Sequence, residues 1–356
     1  MLYVFYIDKY THTIMDLYLT GAFEYMDVRV GFGNAAKHIY ECFSSAELNP
    51  RVKRLNNDTP YVADVEICFD QPHKYKFMCP TSYKIGYTPW ESTDIPSIWH
   101  KPLQNCDEIW TPNEFGYKVF QNLYPDKKIF VYQHGISQKY RPKKRKLSSD
   151  RPFTFLFIGE PYARKDGQLV AETFIELFGN NPDYRLIIKG THQNTIMVQD
   201  PKSQMMGSPS FYYKNIDVVT EMLTPRQMTQ LYEMSDVFVY PTWGEGWGFN
   251  PMQAMAMGIP TISTFIWSDY AQYITLPIDS YHYPSPWPQL HPGYMFKPDK
   301  NQFKKAMACC QPNYDELAAI AFKNSFEIHK NFNWNRVSVP AVERLQNIFS
   351  TLELKT

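Results

Sequence analysis

The sequence has no net charge to work with: 36 Lys and Arg are balanced by 36 Asp and Glu over 356 residues. A chain built mainly to coat nucleic acid is normally basic, so this balance argues against that role. Cysteine pairing signals are also missing. Cys42, Cys68, Cys79, Cys106, Cys309 and Cys310 form no C-x-x-C pair and no zinc-ligand spacing. They read as reduced, mostly buried thiols, which favours a cytoplasmic chain. No stretch approaches 18 consecutive apolar residues, so no membrane span is expected and any membrane contact would be peripheral. The opening MLYVFYIDKY has too short an apolar run for a secretory signal and no basic region before it. H-E-x-x-H, G-x-S-x-G and the Walker A loop are absent, and no carboxylate cluster has metal-ligand spacing. No repeat of solenoid period is visible.

What is present is an ordinary folded composition. With 44% hydrophobic and 20% charged residues, wholesale disorder is ruled out. At about 150 residues per domain, the length suggests two domains. Aromatics reach 16%, which suits sugar-facing clefts and ordinary cores alike and so decides nothing.

Short β-rich runs alternate with helical patterns. Strands are expected at Leu2–Ile7, Val65–Phe69, Lys84–Tyr87, Glu108–Thr111 and Ile129–Tyr132. A second set is expected at Phe153–Ile158, Tyr184–Ile188, Asp236–Tyr240 and Thr261–Ser263. Helices are expected at Asn34–Ser45, Phe115–Leu123, Leu169–Phe178 and Pro225–Met234. Such alternation argues for parallel sheets covered on both faces. The stretch RPKKRKLSSDRP, Arg141 to Pro152, is polar, has a proline near each end and reads as a linker. The expected organisation is therefore two doubly wound, Rossmann-like α/β domains, 1–147 and 148–325, followed by a helical segment, 326–356, packing back toward the first domain. Ligands of such folds bind where the carboxyl ends of the strands meet.

One loop carries most of the information: DVFVYPTWGEGWGFNPMQAMAMGIPTIST, Asp236 to Thr264. A strand ends at Tyr240, and Gly244, Gly246 and Gly248 surround Glu245. Asn250 suits a helix N-cap, Pro251 the first helical position and Gly258 the C-terminal stop. A glycine loop feeding a helix N-terminus leaves free N–H groups pointing outward, a natural seat for a diphosphate. Glu245 can accept hydrogen bonds from sugar hydroxyls there.

The segment E-G-W-G-F-N-P-M-Q-A-M-A-M-G-I-P within it resembles the signature of glycosyltransferase family 4, roughly E-G-F-G-L-x-x-x-E-A-M-A-x-G-x-P. The resemblance implies the GT-B fold, two Rossmann-like domains facing a cleft. It places Glu245 against the donor sugar, with Gly246, Trp247, Gly248, Phe249 and Asn250 lining the donor site. The family's second Glu, which contacts the nucleotide ribose, is here Gln253. Gln253 also lies three residues after Asn250, where a capping-box residue would stand. FTFLFIGEPYARKDGQLVAETF, Phe153 to Phe174, resembles the start of the family's second domain. Lys165 matches a family Lys that grips the donor diphosphate. Glu160 replaces the usual Arg, and Arg164 is the candidate to supply that charge instead. The alternative is that Arg164 and Lys165 form only a solvated turn.

RVGFGNAAKHIYECF, Arg29 to Phe43, resembles the first-domain glycine loop, with Gly31 and Gly33 approaching the donor phosphates ahead of a helix at about Asn34. Alone, G-x-G-x-x-A also leaves a dinucleotide-binding dehydrogenase open. KIGYTPWESTDIPSIWHKPLQNCDEIWTPNEFGYKVF, Lys84 to Phe120, resembles a subgroup with a Y-x-x-W-E-S segment. Where much of the family has a His, it carries Thr88, Pro89, Trp90, Glu91 and Ser92. Trp90, Glu91 and Ser92 are candidates for sugar or acceptor contact, or are core and capping residues. VYQHGISQKYRP resembles the family's strand-then-turn near the domain junction and offers His134 as a site residue or a structural one.

The resemblance implies a retaining hexosyltransferase, with a nucleotide sugar as co-substrate and no cofactor or obligatory metal. A glycan or lipid-linked glycan is the leading acceptor. The cations between Arg141 and Lys146 read as a solvated linker or as a contact for anionic lipid or DNA, which keeps a DNA-modifying transferase as an alternative. A GT-B epimerase and a non-catalytic nucleotide-sugar binder are the readings of another class. No stable protein partner is expected, and the location is cytoplasmic, with peripheral membrane contact left open.

Overall fold

The computed structural model describes residues 15–55, 61–160, 163–190, 196–200 and 203–354. The first half holds six parallel strands: β1 (Leu17–Gly21), β2 (Arg51–Val52), β3 (Val65–Phe69), β4 (Tyr83–Tyr87), β5 (Glu108–Thr111) and β6 (Lys128–Val131). Their order is β2-β1-β3-β4-β5-β6. Helices α1 (Gly31–Ser45), α2 (His100–Gln104) and α3 (Glu114–Leu123) lie between them in the chain.

The second half repeats the plan with β7 (Phe153–Ile158), β8 (Tyr184–Lys189), a ribbon of β9 (Val198–Gln199) and β10 (Met206–Gly207), then β11 (Ile216–Val219), β12 (Val237–Tyr240), β13 (Thr261–Ser263) and β14 (Leu276–Pro277). The sheet order is β11-β8-β7-β12-β13-β14, all parallel. Helices α4 (Gly167–Phe178), α5 (Pro209–Tyr212), α6 (Pro225–Glu233) and α7 (Phe249–Ala256) connect these strands. An antiparallel hairpin, β15 (Ser280–Pro284) and β16 (Tyr294–Pro298), precedes α8 (Lys300–Cys309), α9 (Tyr314–Asn331) and α10 (Trp334–Glu353).

Both central strands of the second sheet, FTFLFI and VFVY, are apolar apart from Thr154, and every residue in them is buried. A parallel strand covered on both faces has no polar side to show, and this pattern is what the sequence carries. The strand expected at Leu2–Ile7 lies outside the described residues, and a strand not expected, β1 at Leu17–Gly21, stands next to β3 in the sheet. One helix boundary changes. Helix α1 begins at Gly31 rather than Asn34, because Val30 takes the capping position and its carbonyl accepts the Asn34 N–H at 2.9 Å. Gly33 is thus inside the first turn, where a Cβ would stand 2.3 Å from the Asp27 carbonyl oxygen.

Residues 141–152 carry no helix or strand. The C-terminal helices are broken at Phe332–Asn333, where Asn333 caps α10 and pairs with Ile136 as an isolated bridge. Helix α10 then lies on the first half. Ser338 Oγ is 2.7 Å from the Tyr132 hydroxyl, and Arg344 donates to the buried Glu108. Among the described residues, no helix is long and apolar enough to cross a membrane.

Candidate active site

A cavity of about 520 Å³ opens between the two halves, at the carboxyl ends of strands from both sheets. Phe69 after β3, Pro89 and Glu91 after β4, and His134 after β6 form one wall. Gly159 and Glu160 after β7, Lys189 and Gly190 at β8, Tyr240 at the end of β12 and Glu245, Gly246, Trp247 and Gly248 beyond it form the other.

The second wall is built around Glu245, which is only 5% exposed. Arg164 and Lys165 stand on a 3-10 turn, Ala163–Lys165, directly before α4. Asp166 follows in a left-handed conformation, caps α4 through Leu169 N, and accepts Trp243 Nε1 at 2.8 Å. The turn is tied to the glycine loop by Trp243 N and Thr242 Oγ1, which donate to the Arg164 carbonyl at 2.7 and 3.1 Å. This local fastening delivers both cations to one carboxylate oxygen. Glu245 Oε1 accepts from Arg164 Nη1 at 2.6 Å, Tyr240 OH at 2.8 Å, Lys165 Nζ at 3.1 Å and Thr242 Oγ1 at 3.3 Å. Among the described residues, none donates to Oε2.

The electrostatics follow from that geometry. Burial works against an ionised Glu245, but the Arg164 and Lys165 charges and the Tyr240 hydroxyl outweigh it and hold the carboxyl at about 2. Burial lowers Lys165, with Glu245 offsetting part of the effect. Burial also opposes the Arg164 charge, but Glu245 and Glu91 more than compensate and raise it. Glu245 is therefore an anion over the whole neutral range and acts only as a hydrogen-bond acceptor there.

The Arg164 guanidinium spans the cleft. Nη1 serves Glu245 and the Gly244 carbonyl, each at 2.6 Å, while Nη2 reaches Glu91 Oε1 of the first half at 2.9 Å. The glycines of the loop make this approach possible. A Cβ on Gly244 would stand 2.4 Å from the Glu91 carbonyl oxygen, and one on Gly246 2.3 Å from Pro89 Cβ. Both glycines thus serve the contact between the halves. Gly248 has a φ of 82° and a side chain there would meet Trp267 and Tyr270.

Gly248, not Asn250, holds the capping position of α7, which begins at Phe249, and Gly258 lies beyond the helix end with a φ of 70°. Asn250 instead donates to the Ile158 carbonyl at 2.9 Å, tying the helix start to β7. Gln253 is not a capping-box residue. Its Oε1 accepts from Tyr232 OH at 3.1 Å and the residue lies on the cavity wall. Neither α1 nor α7 has a side-chain cap, and Gly31 and Phe249 both line the cavity. Two helix starts with free N–H groups thus face the same space.

The remaining expected residues divide. His134 is on the wall, stacked on Phe249 with ring centroids 5.2 Å apart, and neither ring nitrogen has a partner among the described residues. Burial lowers it to about 3, so it is neutral. Trp247 lies 5.6 Å from it and also lines the cavity. Trp90 and Ser92 do not line the cavity. Trp90 Nε1 and Ser92 Oγ both donate to the Asp94 carbonyl, at 2.8 and 3.0 Å, closing their own loop. Gly33 packs on Asp27 and is likewise off the wall, whereas Gly31 is on it. The basic run Arg141–Lys146 is split. Arg145 turns inward to the carbonyls of Tyr232, Glu233 and Ser235 at the end of α6, while Arg141, Lys143, Lys144 and Lys146 stay exposed.

Sequence reasoning missed Tyr240, Thr242, Lys189 and His291. Tyr240 reads as the last residue of a strand, and its hydroxyl role appears only once Lys165 is placed 2.6 Å from it. His291, from the β15–β16 hairpin, comes within 3.8 Å of Glu91, a contact with no local signal. Among the described residues, no three His, Cys, Asp or Glu side chains form a group that could hold a metal ion.

The architecture is that of the GT-B glycosyltransferases. Over 95% of this chain and all of the other, it superposes on a sucrose-phosphate synthase from Thermosynechococcus elongatus with a TM-score of 0.65 at 12% identity. WaaG, a glycosyltransferase involved in lipopolysaccharide biosynthesis, aligns over 92% of this chain and 98% of its own, with a TM-score of 0.60 at 11% identity. An α,α-trehalose 6-phosphate synthase from Burkholderia multivorans aligns over 91% and 76%, with a TM-score of 0.58 at 9% identity. Within the second half, residues 152–276 match the family described as Glycosyl transferases group 1. No curated protein matches the chain by sequence.

Proposed function

We propose that the protein is a retaining glycosyltransferase that moves a hexose or related sugar from a nucleotide sugar to an acceptor hydroxyl. One observation carries the reading. An ionised Glu245 lines a cleft between two Rossmann-like halves, with one oxygen held by four donors and, among the described residues, no donor on the other, inside the segment that matches the glycosyl transferases group 1 family.

The donor diphosphate lies against the free N–H groups that open α1 and α7, with Gly31 letting the backbone close in and Lys165 adding charge. Departure of the nucleotide leaves negative charge on the outer phosphate, and fixed dipoles and a cation in a dry site stabilise that charge without reorganising. Glu245 Oε2 accepts from a hydroxyl of the transferred sugar and sets its orientation. Gln253 contacts the ribose through its amide. The acceptor enters beside Glu91 and is a glycan or lipid-linked glycan. No metal or cofactor is required, and retention of configuration follows the family resemblance. Closure of the halves excludes water that would otherwise hydrolyse the donor.

The test is a donor panel of UDP-, GDP- and ADP-sugars, with nucleotide release followed with and without glycan, lipid and DNA acceptors. Release from one donor, faster with an acceptor, is the expected result. Donor conversion that needs no acceptor points to an epimerase, and binding without turnover to a non-catalytic binder.

A further inference from the structure

The four charges that meet at the cleft cancel. Arg164 and Lys165 supply two positive charges, and Glu91 and Glu245 supply two negative ones, all linked through the Arg164 guanidinium at 2.6 and 2.9 Å and Lys165 at 3.1 Å. A nucleotide sugar brings two further negative charges into the same cavity. Within this cluster neither cation is free to answer them, and the other cations on the cavity wall, Arg29, Lys139 and Lys189, lie outside it. Arg164 is occupied by two carboxylates and a carbonyl, and Lys165 by Glu245 and Tyr240.

The two acids are not equally held. Among the described residues, Glu245 has four donors on one oxygen, whereas Glu91 has a single hydrogen bond, from Arg164. Among the described residues, four charged or titratable groups face Glu91. Arg164 and Lys165 come from the turn before α4, Glu245 from the loop before α7, and His291 from the β15–β16 hairpin, with Nδ1 3.8 Å from Oε2. Burial lifts the Glu91 carboxyl above its ordinary range, Arg164 opposes this, and the Glu245 charge adds to it. Of the two acids, Glu91 therefore yields its charge first when more negative charge arrives.

We infer that donor binding is coupled to uptake of one proton from solvent by the Glu91 carboxylate, which leaves the four-residue cluster one positive charge in excess and releases Arg164 Nη2 toward the diphosphate. Glu91 is in this sense a positioning residue. Its charge parks the guanidinium between the halves when the cleft is empty, and its loss hands the guanidinium to the donor. The inference rests on the proposal that the cavity takes a nucleotide sugar.

The experiment is calorimetric titration of the full chain with UDP-glucose, GDP-mannose and ADP-glucose, in buffers of different ionisation enthalpy, between pH 6 and 9. Both phosphates of these probes are ionised throughout and below about pH 8 their bases are neutral, so over that part of the range any proton exchanged belongs to the protein. For the wild type, the sugar nucleotide that binds does so with uptake close to one proton, and its affinity falls by up to about tenfold per pH unit as pH rises. For Glu91→Gln, the uptake disappears, the pH dependence flattens, and at pH 8 the variant binds about tenfold more tightly than the wild type. Binding with no proton uptake in the wild type overturns the inference while leaving the nucleotide-sugar reading intact. Uptake that persists in Glu91→Gln overturns it too, reassigning the proton to His291 or Lys165. If the variant does not fold, the wild-type proton count still decides. Failure of all three probes to bind removes the nucleotide-sugar reading itself, and the inference with it.

Discussion

Two buried glutamates, one in each half, carry their charge in opposite ways. Glu108, fully buried at the start of β5, has both oxygens filled: Tyr83 OH at 2.9 Å and Arg344 on Oε1, Trp110 Nε1 at 3.0 Å and Arg344 on Oε2. Glu245, equally charged at the end of the second sheet, has its donors crowded on one oxygen and, among the described residues, none on the other. A carboxylate satisfied on every side has finished its work within the fold. One satisfied on a single oxygen, on a cavity wall, has an acceptor to spare for something that arrives. The difference separates a structural acid from a binding one by counting donors, without reference to what the ligand is.

The sharpest way to break this comparison is to remove a charge from each cluster. Glu245→Gln is expected to lower kcat for transfer by about 10²–10³-fold, the scale for deleting one electrostatic contact at a reacting centre. Its denaturant midpoint should move little, because Lys165, already disfavoured as a cation by burial, can lose its proton and restore balance. Arg344→Ala should do the reverse. It leaves Glu108 buried with two neutral donors and a lysine 3.9 Å away, and should cost about 3 kcal/mol in unfolding free energy with kcat per folded molecule unchanged. If both variants lose activity and stability together, donor counting does not distinguish the two acids.

The two first-domain glycines give a smaller version of the same contrast. A Cβ at Gly33 would stand 2.3 Å from one backbone atom of Asp27 and 2.5 Å from another, so Gly33→Ala has to move the loop and should cost about 2 kcal/mol. A Cβ at Gly31 meets only Phe249, at 3.9 Å. Gly31→Ala should therefore leave stability within about 0.5 kcal/mol. Any loss of nucleotide-sugar affinity in it, read by titration, then reports on the cavity. Equal stability loss in both would show that Gly31 is a packing residue too.

How far these features could be read from the residues alone depended on range. The strands FTFLFI and VFVY announce themselves because a strand buried on both faces is nearly all apolar. The Glu245 loop is legible because its chemistry is local: glycines, an acid and a helix start within a dozen residues. Local reading failed by small steps where backbone and side-chain roles trade places. Asn250 looks like a cap, yet Gly248 takes that position and Asn250 ties α7 to β7. LYLTG was passed over as a strand although it lies between β2 and β3 in the sheet. The contacts that make the cleft a single electrostatic unit were invisible. Glu91 and Arg164 are 73 positions apart, and His291 reaches Glu91 from a hairpin later still. Nothing in either neighbourhood encodes the partner, because the pairing is made by the way the two halves face each other.

A third glutamate offers the finest test of the comparison. Glu66 on β3 is fully buried and satisfied on both oxygens, by Thr20 and Tyr61 at 2.9 and 2.7 Å and by Cys79 N at 2.6 Å, but all three donors are neutral. Burial therefore raises its carboxyl despite those hydrogen bonds, whereas Arg344, Trp110 and Tyr83 overcome burial at Glu108 and lower it. The two acids then titrate against stability with opposite sign. Glu108 stabilises above its unfolded-state value and loses that contribution as pH falls through its lower folded value. Glu66 binds its proton more tightly when folded, so its contribution is present below the unfolded value and lost as pH rises through the folded one. Glu66→Gln, which stays neutral, should thus compare better with the wild type at pH 8 than at pH 5, by an amount well below the loss at Arg344. Chemical denaturation of both proteins at the two pH values measures this, and a difference independent of pH would mean that the three neutral donors fully offset the effect of burial.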